Sequence, residues 1–147
     1  MRKPALVGQP RFYVKNILLV DDDPLILMLY QQALKNAGYA LTTAANGKEA
    51  LDRIVASPPD LVLLDVMMPI MDGVTMLRAL KKTKIVRPPV VVIAGNQKEY
   101  QATREEARLA GATAFLSKPF SPQQLLALIQ QHLPNSSEQP PGEVQKA

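Results

Sequence analysis

The chain has 147 residues, of which 47% are hydrophobic and 20% charged, and it contains no cysteine. This composition is typical of one globular domain and excludes disulfide frameworks, thiolate zinc sites and iron–sulfur clusters. No apolar run approaches the roughly 20 residues needed to span a bilayer, and the N-terminus lacks the apolar core of a secretory signal, so we expect a cytoplasmic protein that does not enter a membrane.

The net charge of +4 is concentrated in two segments. One is the N-terminal arm, and the other is a central segment that contains no carboxylate and the cations Arg78, Lys81, Lys82, Lys84 and Arg87. A charge run of this size is typical of a solvated helix face, and it can also attract an acidic protein surface. Direct binding to nucleic acid is not expected.

Short apolar runs alternate with helical patterns along the chain. Strands are predicted at Asn16–Val20, Ala40–Ala44, Leu61–Leu64, Val90–Ile93 and Ala114–Ser117. Apolar residues at helical spacing, with capping residues before them, predict helices over about 24–37, 48–56, 74–82, 98–109 and 122–133. In the second helix the residues expected to face inward are Ala50, Leu51, Ile54 and Val55.

This alternation predicts an α/β fold with a five-stranded parallel sheet. The strands are continuously apolar, so helices should cover both faces of the sheet in a doubly wound (βα)5 arrangement. We expect the flavodoxin-like strand order 2-1-3-4-5. The domain should cover residues 15–133, between an N-terminal arm at 1–14 and a flexible tail or linker at 134–147.

Charged residues follow three of the predicted strands. Asp21 and Asp22 follow the first strand, Asp65 the third, and Lys118 the fifth. In an open parallel sheet, loops at the carboxyl ends of the strands form the ligand crevice. Converging carboxylates without His or Cys favour a hard cation such as Mg²⁺.

The same residues suggest phosphoryl chemistry. A carboxylate can attack phosphorus to form an acyl phosphate, and a lysine can neutralise charge on the phosphoryl oxygens. Asp65 is the best nucleophile candidate because it stands alone at the end of the central strand. Asp23 and Asp72 are interpreted as helix-cap or turn residues, and Asp60 precedes its strand at the wrong edge of the sheet.

The chain resembles the receiver (CheY-like) domain of two-component response regulators over about residues 15–133. The matching stretches are ILLVDDDP, NGKEALD, PDLVLLDVMMPIMDG, PPVVVIAG and GATAFLSKPF. The resemblance implies that Asp65 accepts a phosphoryl group from a histidine kinase or phosphotransfer protein. It further implies that Lys118 contacts this group before a peptide bond to Pro119 that is often cis. The implied ligands of Mg²⁺ are Asp21, Asp22, Asp65 and the backbone carbonyl of Met67.

One position departs from the family pattern. Where receivers usually carry Thr or Ser at the end of the fourth strand, this chain has Ala94, followed by Gly95 in the phosphoryl-facing loop. Ala94 lacks a hydroxyl, so one hydrogen bond to the phosphoryl group is missing, a loss of about 1.5–3 kcal/mol. Phe115 occupies the place of the aromatic that the family couples to this hydroxyl, and it is expected to be a core ring. We therefore expect an acceptor site with weakened or unusual switching.

Two functions remain open at this point. The leading hypothesis is a Mg²⁺-dependent phosphoacceptor that switches partner binding and is not an enzyme, beyond assisting its own phosphorylation and dephosphorylation. Its output would be a downstream protein or an output domain missing from this sequence. The alternative, raised by Ala94, is a receiver-like docking module whose interactions do not depend on phosphorylation. A nucleotide- or flavin-binding enzyme is disfavoured because the turn after the first strand, DDDP, is acidic and contains no glycine.

Overall fold

The computed structural model describes residues 14–133. The predicted arm, apart from residue 14, and the predicted tail or linker at 134–147 lie outside the described residues. The strands are β1 (Asn16–Val20), β2 (Ala40–Ala44), β3 (Leu61–Asp65), β4 (Val90–Ala94) and β5 (Ala114–Ser117). The helices are α1 (Pro24–Asn36), α2 (Gly47–Ala56), α3 (Gly73–Lys81), α4 (Gln97–Leu109) and α5 (Pro122–His132).

The five strands form one parallel sheet in the order β2-β1-β3-β4-β5, as predicted. The register places Val20 beside Leu64 and Asp65 beside Ile93. The carboxyl ends of β1, β3 and β4 therefore lie side by side at one edge of the sheet. The residues that follow them are held close together by strand pairing alone.

Each face of the sheet packs against its own group of helices. Side chains of α2, α3 and α4 cover one face, which includes Leu18 and Val62. Side chains of α1 and α5 cover the other face, which includes Leu19 and Leu63. Consecutive strand residues point to opposite faces, so both must be apolar when both faces are buried. This explains the absence of polar alternation in the strands.

The helices begin at side-chain caps. Asp23 accepts the N–H of Leu25, and Asp72 accepts the N–H of Thr75, which confirms that both act as caps. Helices α2, α3 and α4 each begin one residue earlier than predicted, at Gly47, Gly73 and Gln97. In each case the capping side chain, that of Asn46, Asp72 or Asn96, accepts the backbone N–H of the residue three positions later. The residue directly after the cap is therefore the first helical residue.

Some apolar positions at helical spacing are exposed. Val55 was predicted to face inward, but it is 46% exposed, because the short helix α2 buries only the face that carries Ala50 and Ile54. On α1, a row of apolar side chains is also exposed, comprising Leu25, Met28 and Leu29. No helix within residues 14–133 has the length and apolar character required to cross a bilayer.

Candidate functional site

Three carboxylates converge at the carboxyl edge of the sheet. Asp21 and Asp22 follow β1, Asp65 ends β3, and one oxygen of each lies within 4.8 Å of the others. Asp21 and Asp65 are buried, whereas Asp22 is exposed. We call this group the acidic pocket. The structure thus brings together the three aspartates that the sequence placed at neighbouring strand ends.

Lys118 reaches the acidic pocket from β5. Its backbone N–H donates to the carbonyl of Ala94 at 2.9 Å, and its Nζ lies 4.0 Å from Asp21 Oδ2. The next peptide bond, to Pro119, is cis. Phe120 then stacks on Tyr30 of α1, with the ring centroids 5.6 Å apart. These contacts fix the segment that carries the lysine beside the carboxylates.

Backbone N–H groups bind the two buried carboxylates. Asp21 Oδ1 accepts the N–H of Asp23 at 2.9 Å, and Asp65 Oδ1 accepts the N–H of Met67 at 3.3 Å. The Met67 side chain is 61% exposed. Met68 and Met71 pack against the core. Met67 therefore contributes to this loop through its backbone.

The carboxylates shift one another's proton affinity. Burial, reinforced by the charge of Asp21, raises the pKa of Asp65 to about 7, although the Lys118 ammonium opposes the shift. Burial likewise raises the pKa of Asp21. One lysine at the rim does not offset this crowded negative charge. An oxygen-only donor set with a charge excess suits a hard divalent cation, so Asp21, Asp22 and Asp65 fit the predicted Mg²⁺.

The loop between β3 and α3 is anchored by close backbone contacts. Gly47 donates its N–H to the Met71 carbonyl at 3.0 Å, and Gly73 donates to Val66 at 2.9 Å. A Cβ atom at Gly73 would lie only 2.7 Å from the Asp65 carbonyl oxygen. Glycine therefore allows α3 to begin directly against the backbone of Asp65. At the tip of the loop, Ile70 has a φ of 70° and is 82% exposed.

The loop after β4 holds the predicted phosphoryl-facing residues. Ala94 is buried and pairs with Ser117 of β5. Gly95 donates its N–H to the carboxylate of Glu99 on α4. Phe115 packs against the core and meets the Tyr100 ring edge-on, as expected of a core ring. Ala94 therefore offers no side-chain donor, and the next backbone donor is already engaged.

Two residues near the site were not predicted. Burial, reinforced by the charges of Asp21 and Asp65, raises the pKa of Tyr30 to about 12. Glu99 bonds to Gly95 across one turn of α4. The four-residue spacing between Gly95 and Glu99 was a signal available in the sequence, because a carboxylate in the first turn of a helix can accept preceding backbone N–H groups. No local signal identifies Tyr30, because its position depends on how α1 packs.

Comparison with known proteins identifies related chains. Residues 17–130 match the family model of the response regulator receiver domain. The chain is 36% identical over 115 residues to the alkaline phosphatase synthesis transcriptional regulatory protein PhoP of Bacillus subtilis, covering 78% of this chain and 47% of that protein. The chain thus spans about half the length of the curated relatives it matches.

Solved structures share the fold. The chemotaxis response regulator CheY4 of Vibrio cholerae aligns with a TM-score of 0.73 and 32% identity, covering 82% of this chain and 99% of that one. The receiver domain of the sensor histidine kinase PA1611 from Pseudomonas aeruginosa, which has a magnesium ion coordinated in its active site cleft, aligns with a TM-score of 0.74 and 28% identity. This alignment covers 81% of this chain and 97% of that one.

The charge balance of the acidic pocket predicts how Asp65→Asn affects stability. A native pKa of about 7, against 3.8 for an ordinary aspartate, means that the metal-free protein loses stability as the pH rises between these values. In EDTA at about pH 8, Asp65→Asn should therefore be more stable than the unsubstituted protein by about 1–3 kcal/mol. The gain should shrink as the pH falls toward about 4 and disappear below about pH 3, where the carboxyl is protonated in both the native and the unfolded state. Urea unfolding at several pH values measures both effects.

Asp52→Asn is the matched control, because Asp52 is exposed on α2 and outside the pocket. It should change stability little and with no comparable pH dependence. A metal-free Asp65→Asn protein that is less stable than the unsubstituted protein at about pH 8 would contradict the charge repulsion inferred here.

Proposed function

The chain belongs to the family of response regulator receiver domains of two-component signalling, and from this premise we propose that it accepts a phosphoryl group on Asp65 from a histidine kinase or phosphotransfer protein. The observation that carries the proposal is the acidic pocket, with Lys118 Nζ 4.0 Å from Asp21. Receiver domains are signalling modules and not classical enzymes. We propose that this one catalyses only its own phosphorylation and dephosphorylation.

In the proposed reaction an oxygen of Asp65 attacks the phosphorus of a phosphohistidine. The P–N bond breaks, its electron pair returns to the imidazole nitrogen, and an acyl phosphate forms on Asp65. Lys118 neutralises charge on a phosphoryl oxygen with its ammonium group. The residues proposed to hold Mg²⁺ are Asp21, Asp22, Asp65 and the carbonyl of Met67. When bound, the ion supplies charge neutralisation to the carboxylates and the incoming phosphoryl group.

Exposed apolar side chains beside the acidic pocket support a protein as the phosphodonor. Leu25 and Leu29 lie on the first turns of α1, directly after the aspartate run, and are 67% and 65% exposed. Met67 and Ile70 are exposed on the loop that follows Asp65. A small phosphodonor needs no such apolar surface, whereas a docking protein would bury it.

The backbone at Ile70 strengthens this interpretation. A β-branched residue at a φ of 70° is strained by about 1–2 kcal/mol relative to ordinary backbone. Its side chain packs little against the domain, because it is 82% exposed. Within residues 14–133 the side chain therefore gains little packing that could offset the strain, and we infer that Ile70 contacts the phosphodonor.

The output and the cellular setting extend the proposal. Because the chain covers about half of its curated relatives, we propose that a downstream protein or an output domain absent from this sequence carries the response. We propose a cytoplasmic location, where a histidine kinase or phosphotransfer protein would meet Asp65. The phosphorylation-independent docking module, suggested by Ala94, is the outcome if Asp65 proves inert.

The first test is phosphorylation by a small donor. Incubation with acetyl phosphate and Mg²⁺ should add one phosphoryl group, detected by mass spectrometry of the intact protein, because Asp65 needs only positioning and charge neutralisation to react. Asp65→Asn and omission of Mg²⁺ should each abolish the gain, and Asp52→Asn should retain it. No gain under conditions that modify another receiver would favour the docking module.

Restoring the missing hydroxyl should stabilise the phosphorylated state. In Ala94→Ser, the ratio of phosphorylated to unphosphorylated protein at steady state in acetyl phosphate should rise about tenfold or more, because a hydrogen bond to a charged group contributes about 1.5–3 kcal/mol. Intact-protein mass spectrometry measures the ratio. Ala102→Ser, at an exposed position on α4, should leave it unchanged. A ratio in Ala94→Ser that does not rise would refute the role assigned to this position.

Ile70→Asn should raise the stability of the domain while weakening its docking to a phosphodonor protein. Asparagine tolerates the left-handed backbone, so the variant should be more stable by about 1 kcal/mol. With a phosphotransfer protein that phosphorylates the unsubstituted chain, transfer should slow about fivefold or more through lost apolar contact, while labelling by acetyl phosphate stays the same. Val86→Asn, equally exposed with an ordinary φ, should change neither. Unimpaired transfer to Ile70→Asn would exclude Ile70 from the docking surface.

A further inference from the structure

A groove lies at the end of the domain opposite the acidic pocket. Helices run antiparallel to the strands in this fold, so α3 and α4 both end at the amino edge of the sheet. Between their last turns is a groove of about 340 Å³. It is lined by Arg78, Lys81, Lys82, Glu106, Leu109 and Ala110.

The central basic segment of the sequence forms one wall of the groove. Residues 78–87 carry five cations and no carboxylate. The one acidic lining residue, Glu106, pairs with Arg78 at 2.6 Å, and Lys81 donates to the Leu109 carbonyl at 3.1 Å. Within residues 14–133, no carboxylate forms an ion pair with Lys82 or Lys84. Positive charge at the groove is therefore only partly neutralised by the domain itself.

An apolar side chain accompanies these cations. Leu109, at the end of α4, lines the groove and is 61% exposed. The Leu109 side chain is not needed to end α4, because the backbone N–H groups of Ala110 and Gly111 make the hydrogen bonds that close the last turn of the helix. The surface therefore combines charge with an apolar contact point, a combination that matches a peptide carrying both carboxylates and apolar side chains.

We propose that this groove docks an acidic segment of a partner protein, with carboxylates facing Lys81 and Lys82 and an apolar side chain on Leu109. Lys84, two residues further along the same basic segment, adds to the attraction. Nucleic acid fits less well. A phosphate backbone offers Leu109 no apolar contact, and no aromatic side chain lines the groove for base stacking. Because the groove and Asp65 lie at opposite edges of the sheet, docking does not require phosphorylation.

Fluorescence anisotropy tests the proposal with a fluorescein-labelled peptide of Glu-Glu-Leu repeats and the full chain. At about 0.1 M salt, Lys81→Gln combined with Lys82→Gln and Lys84→Gln should weaken binding about tenfold or more. Lys35→Gln combined with Lys48→Gln and Lys98→Gln removes the same charge from exposed positions elsewhere. This control should bind within about twofold of the unsubstituted protein.

Further arms distinguish the alternatives. Leu109→Gln should weaken binding of the Glu-Glu-Leu peptide and leave binding of an all-Glu peptide unchanged, and Asp65→Asn should bind as the unsubstituted protein does. If Lys81→Gln disturbs folding, the double variant of exposed Lys82 and Lys84 replaces the triple. An equal loss of peptide affinity in both triple variants would show that the charge attraction is diffuse. Tighter binding of a DNA duplex than of the peptide would indicate a nucleic-acid surface. Absence of peptide binding would exclude the site. Each of these three results overturns the proposal.

Discussion

Repulsion among Asp21, Asp22 and Asp65 is the interaction on which the functional edge of this domain depends. Strand pairing holds Val20 beside Leu64, so the backbone segments that carry the carboxylates cannot separate without disrupting the sheet. Burial, reinforced by the charge of Asp21, raises the pKa of Asp65 to about 7. Three crowded oxygen ligands of this kind suit a hard divalent cation, which would relieve the repulsion among them.

Much of the fold could be predicted because apolar runs and caps are local signals. The bounds of β1, β2 and β5 agree with the predicted ones, and the helices differ by about one residue at their ends. Exposure was harder to predict. Val55 and Met67 are apolar yet solvent-facing, since burial depends on which helix face meets the sheet and on how a loop folds over its own backbone. The position of Tyr30 could not be predicted from the local sequence, because its approach to the acidic pocket follows from the packing of α1.

The loop after β4 departs from the receiver family pattern at Ala94. Ala94 offers no hydroxyl, and Glu99 already holds the N–H of Gly95. A phosphoryl group on Asp65 would therefore find fewer free donors in the loop after β4 than the family pattern provides. The proposed docking groove lies at the other edge of the sheet. The proposed phosphoacceptor site and the proposed docking groove are thus separated by the sheet.

The central claim is that one divalent ion is held by the loops after β1 and β3. The most direct measurement is a titration of ¹⁵N-labelled protein with Mg²⁺, followed by two-dimensional NMR. The interpretation predicts saturable shifts of the Asp22, Asp65 and Met67 amides, with the amides of the basic groove unmoved. Absence of saturable shifts, or shifts scattered over the surface, would contradict it.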